Sequence, residues 1–494
     1  MEFDFLWEEC IGRLATVDPA AVPAESASLV SELVEHPDAA ARAEAAAGRF
    51  FELLTKDPRR ALAEAGLAEA LAREAALPFL SDLVLRRATA QFLLGYGEAA
   101  ASALEVELLR VGRSGSSLQR LALLTLRAQA LIARGRLQPG LVALEEALSI
   151  ASLQPRQQAL AVVLSAFGNA RLHGGHFDSA ADYYQQALEH GLAQDQIEGQ
   201  AINRGNLGLV FHLQGRADEA EEAYAEALSL ARQANDLRAV AVLEANRGLL
   251  ATELGDLDLA EGRLEEGLSA SRALGDPRRE AYCMIRLAAV SREAGALETS
   301  QARLNAARPA LGGDNDSQRE PDLALTEHLL EQSRLALARG DAPRAAAQAL
   351  ESSKAAEALS YPSGVVLGRL ALAAATYAGG DRVEASRLLA RTAEEERDLG
   401  QPLLRGEIAT LQAEVFRSLG ASDLAEQALA EAIRCLGPDT PAAARAGIVR
   451  ARIVAPEKPR FARSLLTHLA SDAERLGWGA VALAALKCGE ELGA

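Results

Sequence analysis

Apolar residues recur every three or four positions along nearly the whole chain, and the runs are cut at a fixed interval by glycine. Spacing of that kind puts apolar side chains on one stripe of an α-helix, and the glycines mark where each helix stops. The glycines stand at 95, 135, 175, 215, 255 and 295, forty residues apart. After one step of forty-five residues the series resumes at 340, 380 and 420. A fixed period of this length is the signature of a stacked-repeat architecture.

Three further columns run in phase with the glycines. Five residues after each comes a small residue: Ala100, Gly140, Ala180, Ala220, Ala260, Ser300, Ala345, Ala385 and Ala425. Four positions on stands a larger apolar residue (Leu104, Leu144, Tyr184, Tyr224, Leu264, Leu304, Leu389, Leu429), with Ala349 the weak member. Seven residues before each glycine is a second small column: Ala88, Ala128, Gly168, Gly208, Gly248, Ala288, Ser333, Ala373 and Ala413. The pattern predicts two amphipathic helices per unit, A and B, with glycine closing A because it alone takes up the left-handed backbone without cost. Small residues on A and B are expected to face one another, and the larger B residue to fill the gap against the next unit. One hairpin cannot bury its apolar face, whereas a stack can.

These columns, seen in FGNARLHGGHFDSAADYYQQAL and NLGLVFHLQGRADEAEEAYAEAL, resemble the tetratricopeptide repeat family. The resemblance covers residues 79 to 436 and implies an all-α, right-handed superhelical solenoid of helix–turn–helix units. The period exceeds the family's usual one by six residues, which lengthen either the helices or the A–B connections. Long units of this type are similar to those of kinesin light chains, cell-polarity scaffolds and sensor regions of bacterial transcription regulators.

Residues 1–78 are expected to form a helical N-terminal cap with one degenerate repeat, because Phe3, Leu6, Trp7 and Ile11 recur at helical spacing. Two repeat arrays follow, 79–308 and 322–436, separated at 309–321 by a loop rich in Gly, Pro, Asn and Asp that could serve as a hinge. Residues 437–494 are expected to be a C-terminal helical cap, since the last hairpin would otherwise expose its stacking face.

Composition agrees with helix throughout. Aromatic residues make up 4% of the 494, and Ala dominates an apolar share of 49%; Ala and unbranched side chains lose little entropy in a helix. The formal charge of −18 argues against a nucleic-acid partner, which would call for clustered basic residues. Only Lys56, Lys354, Lys458 and Lys487 are lysines, and the excess of Arg is read as a GC-rich genome. Cys10, Cys283, Cys435 and Cys488 are too dispersed for a disulfide framework or a zinc site. The acidic N-terminus and the absence of an apolar run of membrane-spanning length lead to the expectation of a cytoplasmic protein without membrane association.

No motif for catalysis is present. None of the lysines follows a glycine, so a phosphate-binding loop is excluded, and HExxH, GxSxG and GxGxxG do not occur. His173 and His176 flank a turn and are expected to face solvent, and no metal or cofactor is predicted. The expectation is a protein that is not an enzyme.

In the tetratricopeptide family ligands usually lie in the groove lined by A helices. Transferred through the turn-glycine register, that groove implies a protein- or peptide-binding set of Gln129, Asn169, Asn206, His212, Asn246, Tyr282, Arg286 and Arg292, with Val162, Ile202 and Val242 beside them. Asn206 and Asn246 occupy one position, followed there by Arg286. An asparagine ladder can hold an extended backbone through paired donors and acceptors, or can bridge neighbouring helices. The lysine clamp that some tetratricopeptide grooves close on a terminal carboxylate is missing. The resulting expectation is a scaffold or adaptor that holds a partner peptide or helix. The alternative is a ligand- or peptide-sensing regulatory protein acting through a partner, and self-association through end faces is compatible with the scaffold reading.

Overall fold

The computed structural model describes residues 58–74, 80–93, 96–112, 116–154, 158–192, 197–311 and 323–493. The expected N-terminal cap lies mostly outside these residues, as does most of the 309–321 loop. The structure is 87% helical, with 22 α-helices and no strand among the described residues. Residues 308–311 form a single 3-10 turn that buries Leu311 at the start of that loop.

The helices alternate as the forty-residue register requires. Ile197–Leu213 is an A helix, Ala217–Gln233 its B helix and Leu237–Leu254 the next A helix. Three residues separate each pair, so the six residues beyond the usual period lie in the helices and not in the connections. The turn glycines among the described residues take positive φ, from 72° at Gly135 to 96° at Gly380. At Gly215 the amide bonds to the His212 carbonyl (2.9 Å) and the Arg216 amide to that of Phe211 (2.8 Å). This paired closure satisfies carbonyls that the helix end leaves without partners. Helix starts are equally local. Asp236, Asp341 and Asp381 accept backbone N–H groups, and Pro362, Pro402, Pro441 and Pro459 open helices where their missing N–H costs nothing.

All three columns are buried, and the larger B residue, which shares a core with the next A helix as Leu144 does with Val163 and Phe167, also makes a contact that the expectation did not include. It lies on the small A residue of its own unit: a β-carbon at Gly168 would stand 2.5 Å from the Tyr184 ring, and one at Gly208 2.7 Å from that of Tyr224.

The described residues fall into two compact units. The first draws on Met1–Arg171, Asp182–Gly199 and Arg272–Asp276, and the second on Leu172–Ala181, Gln200–Ser271 and Pro277–Ala494. Within the first, Leu121, Leu124, Ile132, Leu144, Val163 and Phe167 form a continuous core. Within the second, neighbouring A helices touch along the stack from Leu237–Leu254 onward, while the B helices from Leu297–Ala307 to Pro459–Arg475 make no comparable contact with one another. The A helices therefore lie on the inside of the curve.

The second unit also folds back on itself. Leu264, Leu287 and Val290 share a core with Ile448, Leu466, Trp478 and Val481, some 200 positions later. Trp478 Nε1 donates to the Gly255 carbonyl at 2.7 Å. His173, expected to face solvent, instead contacts the Leu359 carbonyl through Nε2 at 2.7 Å, because the connection 359–362 lies over that turn. Burial holds its pKa below the ordinary histidine value, partly offset by that bond. His176 remains exposed.

Candidate functional site

The inner face of the second unit divides into an open stretch and a filled one. On the open stretch, Ile202 is 48% exposed and Val242 38% exposed, although both sit on A helices facing the inside of the curve. Asn206 and Asn246 stand one helical turn further along the same helices and are half-buried, as are Leu209 and Leu249. The Asn246 amide has no hydrogen-bond partner among the described residues. At the end of these helices the His212 ring meets Glu253 at 2.7 Å and lies edge-on to Tyr224, whose buried hydroxyl has no partner among the described residues. Burial first, then the neighbouring Tyr282, Glu253 and Glu221, hold that phenol well above its usual pKa.

The filled stretch begins at the next A helix, Pro277–Glu293. Arg286 donates to the Tyr282 hydroxyl (3.1 Å), lies over its ring and pairs with Glu327 at 3.1 Å. Arg292 pairs with Glu331 at 2.6 Å and with Glu293 at 2.7 Å, and Glu293 also pairs with Arg445. Burial opposes both guanidinium charges, yet Glu327 and Tyr282 at Arg286, and Glu331 and Glu293 at Arg292, outweigh it and hold both above the ordinary arginine value. For Glu293, burial is overcome by Arg445, Arg292 and Arg334, which lower its pKa to about 2. Further along, Glu414 gathers Tyr377, Arg417 and Arg452.

The eight residues taken from the sequence thus meet different fates. Asn206, His212, Asn246, Tyr282, Arg286 and Arg292 occur on three successive A helices of the second unit. Gln129 and Asn169 belong to the first unit. Gln129 is half-buried there, and Asn169 accepts from the Tyr184 hydroxyl at 2.7 Å, tying A to B within one hairpin. Glu327 and Glu331, the counter-ions of the two arginines, escaped the sequence reading. They occupy the register positions of Tyr282 and Arg286 in the next unit, so continuing the columns to Gly340 would have exposed the change of sign. Among the described residues no cluster of three metal-ligating side chains occurs, and no helix is long and apolar enough to cross a membrane.

A family model for the MalT-like TPR region matches residues 122–438, well over half of the chain. The chain belongs to the MalT-like TPR region family. Comparison of this MalT-like chain with curated proteins finds no match. Among solved structures it is similar to NprR in complex with its cognate peptide NprX, at a TM-score of 0.51 and 11% identity over 70% of this chain and 97% of that one. A Rap protein complexed with Competence and Sporulation Factor gives 0.49 and 12%, covering 76% and 98%. BtubC from P. vanneervenii gives 0.37 and 23%, covering 47% and 97%. At such identities the first likeness speaks for the fold alone.

Proposed function

We propose that this MalT-like chain is a non-catalytic, cytoplasmic binding protein that holds an extended or helical protein segment against the inner face of its second unit. The observation that carries the reading is the exposure of Ile202 and Val242 in register beside the unpartnered amide of Asn246. Apolar side chains left open on the inner curve of a solenoid, next to an amide able to donate and accept, suit a peptide with apolar anchors and a backbone to be held. That NprR, of similar fold, was solved with a peptide fits the same kind of ligand. Arg286 and Arg292 belong to the floor of this groove and hold it in shape through their ion pairs.

The test must spare that floor, because Arg286→Ala leaves Glu327 unpaired at a cost of about 3–5 kcal/mol. We expect the double variant Ile202→Glu/Val242→Glu to keep wild-type helicity and to lose, by at least about tenfold, a partner that wild type retains from lysate. Asn246→Ala should weaken the same partner less. Equal retention by wild type and the folded double variant would remove the groove assignment.

A further inference from the structure

The return of Trp478 onto the turn at Gly255 leaves a cavity of about 930 Å³ beside the contact. Every described residue that lines it belongs to the second unit. Clefts that take small organic ligands run from about 300 to 1,000 Å³, so the space is of the right size for one. One wall comes from the early turns, at 254–258 and 294–296, and the other from Asp439 and the late segment 474–478. Leu254 and Leu476, one from each wall, are 45% and 37% exposed.

Both walls carry carboxylates. Asp256, Asp258 and Glu261 come from the early side, Asp439 and Glu474 from the late side. Two guanidiniums line the same space, and both are already engaged. Arg303 pairs with Glu261 and donates to the Leu287 carbonyl at 2.9 Å and to Ser291 Oγ at 2.6 Å. Arg475 pairs with Asp472 at 3.4 Å. Asp256 accepts the Leu259 amide at 3.1 Å, while Asp258, Asp439 and Glu474 have no counter-ion among the described residues. With Glu261 neutralised, four of the carboxylates on this cavity lack a counter-charge. A cleft lined by one sign of charge over low-dielectric walls concentrates the potential inside it. The same charges, divided between the two walls, oppose the fold-back that Trp478 holds.

A single metal ion does not answer to this arrangement, because among the described residues no three metal-ligating side chains converge on one point. The group that neutralises it must hold its positive charges apart, and the open leucines beside the carboxylates suit apolar links between those charges. We infer that the cavity binds a linear aliphatic polyamine, its ammonium groups on Asp256, Asp258, Asp439 and Glu474 and its methylenes against Leu254 and Leu476. Bound there, the polyamine joins the early turns to the late segment and stabilises the fold-back, since it binds the folded chain and not the unfolded one. The site uses none of Ile202, Val242 and Asn246, so it stands or falls apart from the peptide groove.

Spermidine is the probe for the test. Trp478 lines the cavity and Trp7 is the only other indole in the sequence, so Trp7→Phe protein reports occupancy through Trp478 fluorescence. The titration is run at about 0.15 M salt, where exposed charges more than about 8 Å apart are largely screened. A saturable change is expected, with one spermidine per chain by calorimetry and a higher urea midpoint. Asp439→Asn/Glu474→Gln alters two exposed side chains, should keep wild-type helicity and should weaken binding by about tenfold. Glu394→Gln/Asp398→Asn removes as much charge from exposed positions outside the cavity and should bind as wild type does. Should the cavity variant lose helicity, Glu474→Gln alone carries the comparison. Absence of saturable binding overturns the inference, as does equal binding by the cavity variant or equal loss in the control. Magnesium chloride that reproduces the fluorescence change at the same ionic strength overturns it as well, because separated charges would then not be required. A tetralysine peptide that binds where spermidine does not would assign the cavity to a basic protein segment instead.

Discussion

His328 shows how far burial alone can shift a single side chain. It sits on the inner A helix Leu323–Ala338, is almost fully buried, and its Nδ1 has no partner among the described residues. Burial, with Arg308 nearby, lowers its pKa from 6.5 to about 4. The unfolded chain therefore binds a proton at a pH where the native one does not, and stability present above 6.5 is lost as pH falls toward 4. Wild-type stability to urea should drop between pH 7 and pH 5, and His328→Leu should lose distinctly less over that interval. An unchanged drop would clear His328 of the effect. His173 works in the same direction, so the variant flattens the dependence without abolishing it. Glu293 acts lower on the scale: with its pKa near 2, its ion pairs stabilise the fold above the ordinary carboxylate range and fail only as pH falls through about 4.5 toward 2.

In the hairpin, the column seven residues before the turn glycine and the column nine after it are one contact. Where the A residue is Ala, the B residue is Leu, as in Ala128 with Leu144 and Ala288 with Leu304; both tyrosines stand opposite glycine, Gly168 with Tyr184 and Gly208 with Tyr224. The ring needs the space that a β-carbon would take. Gly208→Ala should accordingly destabilise the protein by about 1–3 kcal/mol, the usual cost of overpacking a closed core. Adding Tyr224→Leu should recover most of the loss, because it recreates the Ala–Leu pairing found at Ala128 with Leu144 and at Ala288 with Leu304. Urea midpoints of the two single variants and the double variant form the cycle that checks this, and additive losses would show that the two positions do not share the contact.

Across the second unit as a whole, the return of late connections onto early turns should be measurable by comparing equivalent glycines. Gly255 and Gly340 have nearly the same φ, 86° and 80°, so alanine costs about 1–2 kcal/mol at either from backbone strain. Only Gly255 also has Trp478 where the β-carbon of an alanine would stand. Gly255→Ala should therefore lower the urea midpoint well beyond Gly340→Ala. Equal shifts would mean that the Trp478 contact contributes little to holding the fold-back.

What could be read from the chain alone was whatever repeats locally. The forty-residue glycine register, the left-handed helix ends and the buried small and large columns are set by backbone sterics and by contacts within a hairpin, so residues a few positions apart reveal them. The candidate groove was legible only as a set of positions. Whether Asn246 stays open, or Arg286 is consumed by Glu327, depends on which side chain the neighbouring A helix presents, and columns read one at a time conceal the change of sign. The fold-back was not legible at all. Trp478 on Gly255 and Leu399 on Gly175 join residues more than 200 positions apart, and their meeting follows from the small rotation each hairpin adds to the last. That rotation is fixed by the packing of whole helices, which only the tertiary structure decides.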